Sequence, residues 1–352
     1  MSVLVSLVTH NDGTYIERCL EAVLAQSVSV RVKLIDSGSR DDTVARAKRF
    51  GIEVNEAGTN IGYCRGHNWN IQEGRELEWV LCLNADVVPA PEFLGSLLKA
   101  AESHPEAGLL GGKLWRGDSA GDRKCDSAGR PLLDSTGMYF TPSLRHFDRG
   151  SNEPDVGLYE RLEYVFGITG AALLARRRCL EDIRCFGEYF DEDFFAYRED
   201  ADLAWRARLM GWESLYVPEA RGTHVRKVLP RGRRHVSALA NYHSVKNRFL
   251  LRMKNVDWAV RLRCFPFYWG RDLIVVAGVI LWERSSLPAL AEAWRLRQRM
   301  RIKRDWIQCR RKADSFELAR WFSFRPVSRP AGNLPRPGSD PEPGPTRPAG
   351  RD

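Results

Sequence analysis

The chain has 352 residues, 43% apolar and 28% charged, the balance of an ordinary soluble globular protein with one large or two smaller domains. Its net charge of +9 is concentrated late: residues 221–325 hold 25 Lys/Arg against 7 Asp/Glu, a surplus that suits nucleic acid, anionic headgroups or a phosphorylated substrate without choosing among them. The eight cysteines show no C-x-x-C pair and no zinc-like His spacing, so a reducing compartment is the simplest inference, with Cys19 and Cys82 as buried thiols. Met1 leads straight into a strand-like run, so no signal peptide is expected. The longest apolar run, residues 273–282, is too short to span a bilayer, which leaves only a peripheral membrane contact.

Taken in order, residues 3–8 predict a buried strand and residues 15–26 a helix. A second strand over 32–35 ends in Asp36-Ser37-Gly38-Ser39 and leads to a helix through Phe50. A short strand at 52–54, a helix opened by Asn60-Ile61-Gly62-Tyr63, and a strand over 79–83 closed by Asn84-Ala85-Asp86 follow. Pro89 and Pro91 start a helix ending near His104. This alternation predicts a mostly parallel sheet with helices on both faces, and ligands beyond the carboxyl ends of its strands. Residues 115–161 read as hairpins and loops, with Asp134-Ser135-Thr136-Gly137 as a turn. Strands are expected again at 170–175 and at 213–217, the latter stopped by Pro218. A helix over 237–254 and one or two basic helices over 287–312 come next, and from Arg325 a Pro/Gly/Arg-rich tail is expected to be disordered.

Several polar clusters fall at predicted strand ends. Asp36 sits on a turn with Gly38 and could accept hydrogen bonds from a base or ribose edge, although an ordinary capped turn has the same composition. Asn84 and Asp86 form an oxygen-rich pair suited to Mg2+ or Mn2+, or else a turn before Pro89; an amide binds a cation more weakly than a carboxylate. Asn60-x-Gly62-x-x-Arg65-Gly66-x-Asn68 offers glycines for close approach and a cation for a diphosphate, without the dinucleotide spacing. In residues 190–206 six carboxylates stand among five aromatics, and Glu199 and Asp200 fall in the first turn of a helix. They could be tuned for proton transfer in a cleft or could merely stabilise that helix start. A lone His224 is more often structural than a ligand. The basic last third has no recognition-helix, zinc-finger or RNP-like pattern, so no nucleic-acid partner is expected.

In this order the pieces resemble family 2 glycosyltransferases, most closely the bacterial rhamnosyltransferases of that family. The resemblance rests on Val5-Ser6-Leu7-Val8-Thr9-His10-Asn11, Asp36-Ser37-Gly38-Ser39-x-Asp41-Asp42-Thr43, Asn60-x-Gly62, Leu83-Asn84-Ala85-Asp86, Gly170-Ala171-Ala172 and Phe190-Asp191-Glu192-x-Phe194-Phe195-x-Tyr197-x-Glu199-Asp200-x-Asp202-Leu203. It implies a GT-A-type α/β fold: a catalytic domain over 1–235, with a donor half over about 1–114 and an acceptor half over about 115–235, then a basic helical extension over 236–324 and the tail 325–352. It implies inverting transfer from a nucleotide diphosphate sugar to a hydroxyl; the donor is expected to be dTDP-rhamnose and the acceptor lipid-linked or a polysaccharide, with the basic last third facing the cytoplasmic side of the membrane. Thr9, Asp36, Gly62, Arg65, Asn84 and Asp86 would meet the donor. Asp86 and His224, which stands 24 residues beyond Asp200, would hold a divalent metal. Asp200 would be the base, with Tyr197 and Glu199 toward the acceptor. Asn84 for the family's first Asp and Asn70 for its usual Gly are departures. A non-catalytic nucleotide-sugar-binding or scaffold protein is the alternative expectation.

Overall fold

Strands of nearly unbroken apolar sequence need cover on both faces, and the helices between them supply it. The structure, a computed structural model, describes residues 2–118, 121–226 and 238–331. In chain order it forms β1 (Ser2–Thr9), α1 (Ile16–Leu24), β2 (Ser29–Asp36), α2 (Thr43–Lys48), β3 (Glu53–Glu56), α3 (Gly62–Glu73), β4 (Trp79–Leu83), β5 (Val87–Pro89), α4 (Phe93–Ser103) and β6 (Ala107–Arg116). Short strands follow: β7 (Leu133–Ser135), β8 (Met138–Phe140), β9 (His146–Asp148) and β10 (Glu163–Val165). Then come β11 (Ala172–Arg176), α5 (Arg177–Ile183), α6 (Glu199–Leu209) and β12 (Glu213–His224). The last part is helical, with α7 (Ala238–Asn255), α8 (Trp258–Leu281), α9 (Leu287–Arg295), α10 (Arg297–Cys309) and α11 (Ser315–Arg320), before β13 (Arg329–Pro330).

The central sheet runs β13-β10-β12-β6-β11-β4-β1-β2-β3. It is mixed rather than mostly parallel. The edge β4-β1-β2-β3 is parallel, but β11 enters antiparallel between β4 and β6. The predicted α/β alternation therefore describes the first half only; β11 reaches the sheet after a long excursion that local patterning does not encode. In the core, Asn70 donates to Ser6 Oγ (3.1 Å), Leu7 O (3.0 Å) and Lys33 O (3.1 Å), tying α3 to two strands through a buried amide where a glycine could not.

Two expectations are corrected here. Pro218 does not end its strand: β12 continues to His224, with its register against β6 shifted between Val217 and Arg221. A bulge accommodates a residue that cannot donate to the ladder. Residues 273–282 are the second half of the 24-residue α8, which by length and composition is long enough to cross a membrane. Of the expected tail, Arg329 and Pro330 pair with β10, and residues 332–352 lie outside the described residues.

Candidate active site

The carboxyl ends of β1, β2 and β4 meet the end of β12, and the polar clusters converge there. Asp36 lines a cavity of about 520 Å3 with His10, Gly38, Arg40, Glu56 and Asn60. Its carboxylate accepts from Ser39 N (2.9 Å) and from Thr9 Oγ1 (3.1 Å). Thr9 is fully buried beneath it, so this hydroxyl orients Asp36 instead of facing the cavity. Gly62, at φ 78°, is packed so closely on Phe195 that a Cβ would lie 2.6 Å from the ring. Its role is to let α3 start against the 190s loop. Arg65 is exposed on α3, 4.0 Å from Glu192, and lines neither this cavity nor the next.

A second cavity of about 420 Å3 brings together Asn84, Asp86, Tyr63, Gly170, Tyr197, Glu199, Asp200, His224 and Arg226. His224 lies with Nε2 3.4 Å from Asp86 Oδ1 and Nδ1 2.7 Å from Asp134 Oδ2. Burial acts to lower the pKa of this imidazole, but the hydrogen bonds to Asp134 and Asp86 outweigh it and raise it to about 9. Asp134 is fully buried and also pairs with Arg226 (3.0 Å), which in turn reaches Asp148 (2.5 Å). The sequence places Asp134 in a turn; it lies in β7, and its carboxylate fixes the His224 ring. Neither Asp134 nor Arg226 was singled out by sequence.

Among the described residues no group of three or more His, Cys, Asp and Glu side chains could hold a metal by itself. The pair Asp86 and His224 nonetheless fits a divalent cation that takes its remaining ligands from phosphate oxygens and water. A carboxylate on the far ring nitrogen is the usual support for such a histidine. A proton and an ion would compete for Nε2.

Opposite this pair, α6 starts with Glu199 and Asp200. Asp200 Oδ2 accepts from Gly170 N (3.0 Å) and Oδ1 from Ala201 N (2.7 Å). Gly170 gives this seat room, since a Cβ there would lie 3.1 Å from Tyr63 Oη and 3.2 Å from Asp200 Cβ. Burial raises both acids. Glu199 is pushed up to about 8, by burial and then by the charge of Asp200, and its Oε2 has no hydrogen-bond partner. The two acids differ in surroundings: burial and the charge of Asp200 favour the protonated form of Glu199, while two backbone N–H groups favour the anion of Asp200.

The chain enters α6 through strained backbone, with Phe195, Tyr197 and Arg198 all at positive φ (67°, 69° and 70°). Such conformations persist only where the surroundings impose them. Here α7 does so: Asn247 Nδ2 lies within 2.9 Å of the carbonyls of Phe194, Ala196 and Tyr197, and Lys246 donates to Asp193 O (2.6 Å). Beneath the loop, Lys254 bridges Asp191 (2.5 Å) and Asp202 (2.8 Å), and Lys303 of α10 bonds Asp191 (2.6 Å) and Asp193 (2.9 Å). Burial opposes ionisation of Asp191, yet Lys254 and Lys303 hold it well below the usual carboxylate range. Part of the basic charge of the last third is therefore internal.

Across Tyr197 and Arg226 opens a further cavity of about 520 Å3 that includes Tyr139, Arg145 and Phe147. Tyr139 stacks on Phe147 (5.6 Å between centroids), and Arg145 lies over the Phe147 ring (4.5 Å).

We expect Glu199→Gln to keep kcat at pH 7 within about threefold, because the wild-type side chain is already neutral there. Its ionisation near pH 8 would place a second charge beside Asp200. The pH profile of kcat/KM should therefore bend near pH 8 in the wild type and lose that bend in the variant; an unchanged profile would refute the assignment of the proton.

The model of a family described as glycosyl transferase family 2 matches residues 4–152. Two relatives, both N-acetylglucosaminyl-diphospho-decaprenol L-rhamnosyltransferase from Mycobacterium tuberculosis (strains CDC 1551 / Oshkosh and ATCC 25618 / H37Rv), are each 34% identical over 275 residues, 73% of this chain and 86% of the relative. Among solved structures, GalNAc-T7 with UDP, GalNAc and Mn2+ is similar at a TM-score of 0.53 and 14% identity, covering 72% of this chain and 47% of that one. S. aureus TarS is similar at 0.52 and 15%, covering 88% and 54%. The chain spans about half the length of these two solved chains, and at such identities the likeness speaks to the fold alone.

Proposed function

This chain belongs to glycosyl transferase family 2, and from that premise we propose that it transfers L-rhamnose, with inversion, from dTDP-L-rhamnose to a hydroxyl of a lipid-linked, diphosphate-bearing glycan at the cytoplasmic face of a membrane. The observation that carries the reading is the single cavity lined together by Asp86, His224 and Asp200. The similarity to relatives named as rhamnosyltransferases acting on a diphospho-decaprenol acceptor supports the choice of sugar and acceptor.

In this reading the nucleoside lies over Asp36 and the sugar points toward Asp200. The acceptor enters past Tyr197, with its glycan on the Tyr139 and Phe147 rings. Its O–H gives the proton to Asp200 Oδ as the oxygen attacks the anomeric carbon. The bond from that carbon to the phosphate oxygen breaks on the opposite face, and the nucleoside diphosphate leaves. One displacement needs one base and no nucleophilic carboxylate. A Mg2+ or Mn2+ at Asp86 and His224 would offset charge on the departing diphosphate. Arg226 adds positive charge at the same cavity.

The test is direct. The purified chain, given dTDP-L-rhamnose, Mn2+ and a polyprenyl-diphosphate N-acetylglucosamine, is expected to yield a product one deoxyhexose heavier, and to lose this activity in EDTA. Turnover with UDP- or GDP-sugars and none with dTDP-rhamnose would overturn the donor; turnover with no donor would return the chain to a binding role.

A further inference from the structure

Beyond the active site, the least expected surface belongs to α8. A helix that packs on a globular body normally turns its apolar side inward. This one does so with Ala259, Val260, Cys264, Tyr268, Val275 and Val279, yet it also carries a second apolar stripe on the outside. Trp258, Leu262, Phe265, Trp269, Leu273 and Ile280 recur at helical spacing and are all exposed, Leu262 at 74%, and Trp282 just past the helix end is 82% exposed. At 1.5 Å per residue the stripe is about 30 Å long or more, far more contiguous apolar surface than a monomer in water usually shows.

Along one flank of the stripe lies a cavity of about 500 Å3 whose walls include Arg252, Arg261, Arg297, Arg301 and Arg304, with Asp305 as its one acid among the described residues. Arg261 comes from α8 itself, so cavity and stripe share an element. Arg252 is neutralised by Asp272. Among the described residues Arg261, Arg297, Arg301 and Arg304 make no salt bridge; Arg297 stacks on Trp294 (4.3 Å) and donates to its carbonyl. Several guanidinium groups gathered around a single carboxylate keep a positive surplus that suits a phosphate.

We propose that the outer face of α8 lies in the surface of an anionic bilayer and that the arginine-lined cavity beside it receives a lipid phosphate. The proposal rests on the membrane part of the preceding reading and on none of its donor, base or metal assignments. A bilayer suits the chemistry better than a protein partner: tryptophans spread along an amphipathic face flanked by arginines are the composition of an interfacial helix. Lying flat also suits α8 better than crossing. Asp272, near its middle, is ion-paired with Arg248 and Arg252 of α7, and crossing would pull Arg271 and Asp272 into hydrocarbon and strip the inner face from the body.

The experiment uses the full chain and vesicles of phosphatidylcholine alone or with about one-third phosphatidylglycerol. At low salt the wild type is expected to sediment with the anionic vesicles and at least about tenfold more weakly with the neutral ones. Leu262→Glu/Trp269→Glu should lose about tenfold or more in vesicle binding, and Arg297→Gln/Arg301→Gln a comparable factor on anionic vesicles only. Both variants should keep the wild-type Tm and turnover of a short, water-soluble acceptor. Failure of the wild type to sediment, or variants that bind like it, would overturn the proposal. So would a dimer that the stripe substitutions dissolve, or a rise in Tm with free pyrophosphate and no vesicle binding. None of these results bears on sugar transfer, which is read separately.

Discussion

Asp200→Asn is expected to lower kcat by about 10^3-fold while leaving the donor KM nearly unchanged. Asparagine fills the same volume and its oxygen can still accept from Gly170 N, so the turn into α6 should survive. What it lacks is the ability to take a proton from the acceptor. In the proposed reading the donor lies over Asp36 and at Asp86, so nucleotide binding measured by calorimetry should match the wild type. A loss of less than about tenfold would place the base on another residue, with Glu199 the nearest candidate. A kcat loss accompanied by a large Tm drop would mean that the substitution had unfolded the loop instead.

The second large effect concerns the scaffold beneath that acid. Lys254→Met keeps the apolar stem of the side chain but leaves Asp191 and Asp202 with one cation fewer, both in a buried setting. Removing one partner of a buried charge cluster costs about 3–5 kcal/mol, mostly the penalty of the charge left behind. For a chain of this size that is a fall in Tm on the order of 10 °C. Adding Asp191→Asn should restore part of it, because its remaining oxygen can still accept from Lys303 and from Asp193 N. A Tm within about 2 °C of the wild type for the single variant would show that the cluster is redundant.

How much of this was legible in sequence depended on distance along the chain. The strand-end rule located Asp36 and Asp86, because each lies beside an apolar run that patterning detects, while Asp200 stood out in the acidic, aromatic stretch that opens a helix. His224 was reached only through its spacing in the family resemblance, while the strand that delivers it seemed to stop at Pro218. Asp134 and Arg226 had no such signal. They meet across 92 residues, and β7, with three residues, is too short to show a period. Thr9, Gly62 and Arg65 illustrate the opposite difficulty: a motif names residues without saying which touch a ligand and which hold the ones that do. The lysines of α7 and α10 were counted as surface charge because sequence does not say which acids they face. In α8, Arg271 and Asp272 broke the apolar run to the eye, although Asp272 points to α7.

The three left-handed residues ahead of α6 take their shape from Asn247 and Lys246 directly, and from Lys303 through the acids below. The working turn therefore cannot be finished in the order in which it is synthesised. While the ribosome is still adding α10, the cavity at Asp36 has all its parts, but Asp200 does not yet have its fixed aim. A fragment ending near residue 235 would then hold that cavity with the turn into α6 unset, and maturation of the enzyme would wait on its last hundred or so residues.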